Sequence, residues 1–206
     1  MFLTFLTSSI LFIAEPVRSS QLVSEAKEGN RNAVHTLLHD NVDVNAAEGD
    51  GMTALHWASF RDDLSLAMLL ISADARTDVT TRVGQITPLF IASKNGSVSM
   101  IKLLIGAGAD PNRSTDTGAS PLMAASAAGD VEAVAALITE GADLNARESH
   151  NGQTPLMFAA WENRPEVISF LMEQGAHSEL TTSVLSLNED RLDEYGNPRR
   201  RTKGSE

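Results

Sequence analysis

The chain has 206 residues, a length that fits one domain or two small ones. Hydrophobic residues make up 42% and charged residues 21%, a composition that excludes a disordered acidic chain. The chain contains no cysteine, which excludes disulfides, thiolate metal sites and a cysteine nucleophile. Its net charge of −11 argues against a nucleic acid as the partner, because nucleic-acid binding needs a basic face.

The first predicted element is an apolar leader over residues 1–20. Residues 1–14 carry no charge, and the run is shorter than the ~20 apolar residues that a membrane-spanning helix needs. Its length fits the apolar region of a signal peptide, although no Lys or Arg precedes it. A signal peptide predicts export, to the periplasm or outside the cell. The alternative is a helix or strand that packs on the fold of a cytoplasmic protein.

Residues 21–182 repeat themselves with a period of 33 or 34 residues, and three columns of residues keep this spacing in register. The first column is leucine throughout: Leu22, Leu55, Leu89, Leu122 and Leu156. The second is apolar: Val34, Ala67, Ile101, Val134 and Ile168. The third contains Gly, Asn or Asp: Asn41, Asp74, Gly108, Gly141 and Gly175. Three columns in register over five units indicate an array of stacked structural repeats.

Each unit predicts a short helix, a turn, a longer helix and a loop. The residues Thr53, Thr87, Ser120 and Thr154 can cap the first helix, and Pro follows three of them at the first helical position. Paired small residues then allow neighbouring helices to approach closely. The second helix has apolar residues at i, i+3 and i+4, and the Gly, Asn or Asp column ends it. One helix pair cannot bury its apolar face alone, so the pairs must stack.

These motifs resemble the ankyrin repeat. The matching segments are GMTALHWAS, ITPLFIAS, ASPLMAAS and QTPLMFAA, with the exits NVDVN, GADPN and GADLN. The resemblance implies an all-α solenoid of helix-turn-helix units with β-hairpin-like fingers, whose first helices line a concave face. It divides residues 21–182 into a capping repeat at 21–49 and repeats at about 50–82, 83–116, 117–150 and 151–182.

The sequence departs from the family pattern at three places. The family's histidine is present only as His56, and Phe90, Met123 and Met157 replace it elsewhere, which predicts apolar packing in place of a polar network. The glycine of the turn at residues 83–86 is displaced by one position, which predicts an irregular finger. Residues 183–206 are a polar tail, either an improvised cap or, as we favour, the start of an inserted loop before further repeats.

Several motifs invite a chemical interpretation, and each fits a structural one better. His35 and His39 have the spacing of a two-histidine metal pair, but no third ligand follows the pattern. The segment GAGAD at residues 106–110 lies at a helix C-terminus, whose dipole repels phosphate. The adjacent carboxylates Asp62 and Asp63 fit a solvated turn, and residues 199–201 fit a short disordered basic run. We therefore expect no cofactor, no metal ion and no catalytic residue.

The resemblance also places a set of residues on the concave face and the fingers. This predicted partner-binding set comprises Phe60, Arg61, Lys94, Asn95, Trp161, Glu162, Met52 and Ile86. The fourth repeat has Ala127 and Ala128 at the corresponding positions. Large aromatic residues surrounded by charge are the usual anchors of protein interfaces. The alternative is that these side chains fold back on neighbouring repeats.

The sequence favours a monomeric, non-enzymatic module that binds a protein partner, and the acidic body suits a partner with a basic patch. A first alternative is a hydrolytic or metal-dependent enzyme that uses carboxylates and histidines in the groove. A pocket with two or more titratable groups of shifted pKa would favour it. A second alternative is a structural segment of a longer repeat array.

Overall fold

The computed structural model describes residues 7–40 and 42–178, and it describes side chains from Arg18 onward. This part of the chain contains ten α-helices, so the all-α prediction is confirmed. They are α1 Thr7–Glu28, α2 Arg31–His39, α3 Ala54–Phe60, α4 Leu64–Ser72, α5 Pro88–Lys94, α6 Val98–Gly106, α7 Pro121–Ala128, α8 Val131–Thr139, α9 Pro155–Trp161 and α10 Pro165–Glu173.

The helices form five consecutive pairs that stack in chain order. Each odd-numbered helix contacts the even-numbered helix that follows it. The odd-numbered helices, called inner helices below, contact one another in sequence, and the even-numbered outer helices from α4 onward do the same. The array is therefore a two-layered solenoid, in which each pair covers the apolar side of the next.

The core lies between the two layers and consists of the predicted columns. Leu22, Leu55, Leu89 and Leu122 are fully buried in one cluster, and Leu156 packs against that cluster while half-buried in the last pair. The second apolar column joins the same cluster, with Ile168 again only partly buried. The prediction of a single interior leucine seam is confirmed.

Side-chain caps fix where the inner helices begin. The hydroxyls of Thr53, Thr87, Ser120 and Thr154 each accept a hydrogen bond from the backbone N–H three residues later, at 3.1 to 3.4 Å. Each such cap contributes about 1 kcal/mol to helix stability. Proline stands at the first helical position of α5, α7 and α9, where its missing N–H costs nothing.

Each finger is a tight loop closed by one backbone hydrogen bond. Two fingers span five residues, with hydrogen bonds from Glu48 N to Met52 O and from Thr115 N to Ala119 O. The other two span six residues, with hydrogen bonds from Thr81 N to Ile86 O and from Glu148 N to Gln153 O. The extra residue of the 34-residue intervals therefore lies in the finger. The irregular finger predicted at residues 83–86 is observed, with Gln85 in the left-handed region at φ 48°.

Successive fingers are joined to each other along the solenoid. Backbone hydrogen bonds run from Arg82 N to Asp50 O, from Asp116 N to Gly84 O and from Ser149 N to Thr117 O, at 2.8 to 3.0 Å. At Gly51 this approach is so close that a Cβ atom would lie 2.7 Å from the Arg82 nitrogen. The finger row is therefore one continuous, hydrogen-bonded edge.

Helix α1 crosses residue 20, where the sequence predicts the end of the leader. The export leader over residues 1–20 stays a prediction, as do the domain boundaries. Within the described ranges, no helix is long and apolar enough to cross a membrane. The first residues of the leader and the predicted tail at 183–206, with its basic run at 199–201, lie outside the described residues.

Candidate protein-binding surface

The exposed side of the inner helices and the finger row make up the face that the family resemblance implies to be concave, called the concave face below. Phe60 and Trp161 occupy corresponding positions at the C-terminal ends of α3 and α9. Their side chains are 61% and 80% exposed, which makes them two of the most exposed large apolar residues described. Both are therefore available to a partner, although Phe60 also contacts its own helix.

Phe60 packs on a small aromatic cluster that the sequence analysis did not predict. Trp57 lies one helical turn earlier, and its ring packs edge-on against the Phe60 ring with 5.8 Å between centroids. The ammonium group of Lys27, from the preceding repeat, lies 4.8 Å from the centroid of Trp57. The i,i+3 spacing of Trp57 and Phe60 on a helix was the sequence pattern that could have indicated this contact. The cluster holds Phe60 in place and leaves its outer edge exposed.

Two members of the predicted set have structural partners in the preceding repeat. Arg61 Nη1 donates to Lys27 O at 3.2 Å, and Asn95 Nδ2 donates to the carbonyls of Ser59 and Phe60, each at 3.2 Å. These carbonyls lie at the C-terminal ends of inner helices, where backbone acceptors lack intrahelical partners. Arg61 and Asn95 therefore cap the previous repeat, and their role in binding a partner stays a prediction.

Arg164 makes the same kind of contact in the last repeat and was not predicted to do so. Its Nε donates to Ala127 O at 2.9 Å, and its side chain packs over Gly129. A Cβ atom at Gly129 would lie 2.6 Å from Arg164 Cδ. The glycine thus allows the arginine to approach, a pairing that no local sequence pattern indicates.

The remaining predicted residues are exposed charges or finger side chains. Lys94 and Glu162 are exposed at the ends of α5 and α9. Neither forms an ion pair or a side-chain hydrogen bond with any residue in the described ranges. Met52 and Ile86 are half-buried on the fingers. The two charges are therefore free to meet a partner, and the finger residues offer only part of their surface.

His56 joins its repeat to the next finger. The imidazole is fully buried, and its Nε2–H donates to Ile86 O at 3.0 Å. Nδ1 accepts from the Thr53 N–H at 3.2 Å and lies 2.8 Å from the Thr53 hydroxyl. Burial lowers the pKa of His56, and the hydrogen bond to the Ile86 carbonyl opposes that shift only in part. The neutral ring thereby fixes the position of Ile86.

The other repeats replace this network with apolar side chains, as predicted. In α7, the sulfur of Met123 lies 3.4 Å from the Ser120 nitrogen, where His56 places its Nδ1 in α3. The histidine-mediated tie between a helix and the next finger is thus confined, within residues 7–40 and 42–178, to the repeat that contains His56.

The carboxylates with lowered pKa have structural roles. Burial tends to raise the pKa of Asp63, but hydrogen bonds from Arg31 at 2.8 and 2.9 Å and from the Leu66 N–H lower it overall. Asp63 thereby caps α4 and ties it to the first repeat. The Glu148 carboxylate likewise accepts three backbone N–H groups inside its own finger, which outweigh its burial and lower its pKa.

The histidine pair does not form part of a larger cluster. The Nε2 atoms of His35 and His39 lie 3.3 Å apart on α2, and their rings meet edge-on. Among the residues that the structure describes, no three His, Asp or Glu side chains come close enough to hold a metal ion. The two rings thus contact each other on the outer surface, away from the concave face.

The paired helices, the finger row and the two exposed aromatic residues are typical of one class of protein, the repeat solenoid that presents a preformed surface. Residues 22–115 and 89–182 each match the family model described as ankyrin repeats (3 copies). Because these matches cover more than half of the chain, the protein belongs to the ankyrin repeat family. Ankyrin repeats are generally protein–protein interaction modules.

Three relatives illustrate where such repeats occur. Over 156 residues the chain is 37% identical to ankyrin repeat and SOCS box protein 3 of Bos taurus, covering 75% of this chain and 30% of the relative. It is 39% identical over 165 residues to palmitoyltransferase ZDHHC13 of Mus musculus, covering 80% and 26%. It is 38% identical over 108 residues to the nuclear factor NF-kappa-B p105 subunit of Mus musculus, covering 46% and 11%. The chain spans less than a third of each relative.

Proposed function

We propose that the protein is a non-enzymatic, monomeric interaction module that holds a protein partner against its concave face and fingers. The observation that carries this proposal is the exposure of Phe60 and Trp161 at matching ends of two inner helices. Side chains exposed to this extent contribute little to the core. When a partner covers one, the burial contributes about 1.5–3 kcal/mol to binding.

The binding surface is rigid before the partner arrives. The leucine seam, the hydroxyl caps and the hydrogen-bonded finger row each fix one part of the surface. A preformed surface loses little conformational entropy on association, so more of the contact energy contributes to affinity. The mechanism is therefore presentation of side chains at fixed intervals, one set per repeat.

The charge of the protein predicts the kind of partner. The repeat segment at residues 21–182 contains 21 acidic and 10 basic side chains. A partner with a basic patch is favoured electrostatically, and its association should slow as salt screens the attraction. The free carboxylate of Glu162, next to Trp161, places one negative charge beside an anchor.

The test is a double substitution of the anchors with a matched control. Partners captured by the full chain from its native compartment are identified by mass spectrometry, purified, and measured against Phe60→Ser/Trp161→Ser. The control is Met68→Ser/Met172→Ser, because these exposed apolar residues, at 55% and 52%, lie on the outer helices. We expect at least a tenfold loss of affinity, about 1.4 kcal/mol, for the first pair only. Unchanged affinity in a folded Phe60→Ser/Trp161→Ser variant refutes the proposal.

We further propose that residues 1–20 are a leader that exports the protein and is then removed. The support is the absence of charge over residues 1–14 and the small residues before position 20. A chain beginning at Gln21 retains Leu22, Val23 and Ala26, which are the fully buried residues of α1 from Arg18 onward, where side chains are described. Mass spectrometry of the protein from its native source tests this directly, since an intact leader refutes processing.

A further inference from the structure

The fourth repeat interrupts two columns of large side chains on the concave face. Ala127 stands at the position of Phe60, Lys94 and Trp161 in the other repeats. Ala128 stands at the position of Arg61, Asn95 and Glu162. Two methyl groups thus replace two long side chains, and the helices on either side keep theirs. The sequence therefore predicts a notch over the end of α7.

The structure contains a cavity at this place, with a volume of about 350 Å³. Its floor includes Ala124, Ala127 and Ala128 of α7. Phe90 from α5 and Phe158 from α9 form two of its walls. A cavity of about 150 Å³ is already large enough to admit a benzene ring. The notch is thus apolar and roomy enough for one aromatic or branched aliphatic side chain together with part of the backbone that carries it.

The two rims of the cavity carry opposite charges. Lys94 stands on the α5 side and Glu162 on the α9 side, each one helical turn beyond the phenylalanine wall of its own helix. Neither charge has a partner among the residues described. Neighbouring helices pack about 8–10 Å apart, so α5 and α9 lie roughly 16–20 Å apart with the notch midway.

We propose that the notch receives a single bulky apolar side chain from an extended segment of the partner, flanked by an acidic residue toward Lys94 and a basic residue toward Glu162. An extended chain advances about 3.3 Å per residue, so each charge lies about three residues from the apolar anchor. This inference rests on the proposed function and deepens it, since it names the chemistry of the segment that the concave face selects. The complementarity of two separated charges favours a peptide over a compact small molecule.

The test uses a phage-displayed library of random 12-residue peptides, selected on the full chain. Peptides are counter-selected on Ala127→Leu, which fills the notch, and compared on Ala107→Leu, which adds the same side chain at an exposed position ending α6. Circular dichroism confirms folding, and Ala128→Leu replaces Ala127→Leu where the latter fails to fold. We expect one large apolar residue with an acid and a base about three positions away on opposite sides. Affinity should fall at least tenfold on Ala127→Leu and stay unchanged on Ala107→Leu.

Charge reversal provides an independent readout. Selection on Lys94→Glu should replace the acidic flank by a basic one, and selection on Glu162→Lys should replace the basic flank by an acidic one, while the apolar anchor persists. Three outcomes would each overturn the notch proposal. The selected peptides could bind Ala127→Leu as tightly as the unchanged chain, the selection could enrich no peptide at all, or the flanking charges could stay the same on both charge-reversed variants. A captured partner that is lost on Phe60→Ser/Trp161→Ser but binds Ala127→Leu normally overturns the notch and leaves the proposed function intact.

Discussion

We expect the buried imidazole of His56 to make the stacking of two repeats sensitive to pH. In its neutral form, Nε2–H donates to Ile86 O and Nδ1 accepts from the Thr53 N–H, so every polar atom of the ring has a partner. A second proton on Nδ1 removes that acceptor and buries a positive charge. The buried Thr53 N–H then loses its acceptor. An unpaired buried N–H costs about 1–3 kcal/mol, which is consistent with the lowered pKa of His56.

The size of the effect follows from linkage. In the unfolded chain the histidine titrates near pH 6.5, whereas its pKa in the folded protein is lower. Between these two pKa values the unfolded state binds more protons than the folded state. The free energy of unfolding therefore decreases as the pH is lowered through this range. If only the unfolded chain takes up the proton, the free energy of unfolding falls by about 1.4 kcal/mol between pH 7.5 and 5.5. Asp63, Asp78 and Glu148 have lowered pKa values and stay ionised in this window.

The assay is urea unfolding at pH 7.5, 6.5 and 5.5, for the unchanged chain, for His56→Met and for the exposed-site control His35→Gln. Methionine is chosen because Met123 already occupies the corresponding position in α7. We expect His56→Met to be less stable by about 1 kcal/mol at pH 7.5, through loss of the hydrogen bond to Ile86, and to lose the His56 part of the pH dependence. Equal losses of stability in the unchanged chain and in His56→Met would show that His56 is not the group that titrates.

Three further predictions concern stability, each measured by urea unfolding. Leu89→Ala should cost about 2–5 kcal/mol, and Leu156→Ala less, because the second leucine is only half-buried. Gly51→Ala should cost more than Gly108→Ala, although both have φ near +90°, because only the first methyl would meet the backbone of the next finger. Asp63→Ala should cost about 1 kcal/mol at pH 7 through the lost cap, and the difference should shrink below pH 4 as the carboxylate protonates, since its lowered pKa stabilises the fold only while it is ionised.

The interior of the solenoid was predictable because stacking allows few residue types at each buried position. Leu55, Leu89 and Leu122 fill the same space between two layers of helices, so the same side chain recurs at the repeat interval. The caps were predictable for a related reason, since a helix that begins in the same surroundings needs the same hydroxyl each time. The two longer fingers lie in the 34-residue intervals, and the sequence predicted an irregular finger only at residues 83–86.

The contacts between repeats at the helix ends could not be predicted from the sequence. Arg61 and Arg164 each reach a carbonyl of the preceding repeat, 34 and 37 residues away. Which carbonyl a long side chain reaches depends on its rotamer and on the space left by a neighbouring glycine, and helical periodicity specifies neither. The cation–π contact of Lys27 with Trp57 has the same character, because it joins two residues 30 positions apart through flexible side chains.

The two kinds of column separate what holds the protein together from what it can bind. The leucine column is invariant along the chain because each leucine fills the same space between the two helix layers, where its pair meets a neighbouring pair. The residue type varies in the column of Phe60, Lys94, Ala127 and Trp161, because a side chain at the edge of the stack changes the free energy of folding only a little. An aromatic ring that is 80% exposed adds little to the core, and it increases the apolar area that this face exposes to water. If the proposed function holds, a partner determines the chemistry at these positions. We then expect the alternation of a cation, a gap and an aromatic ring over three repeats to select the groups that the partner presents.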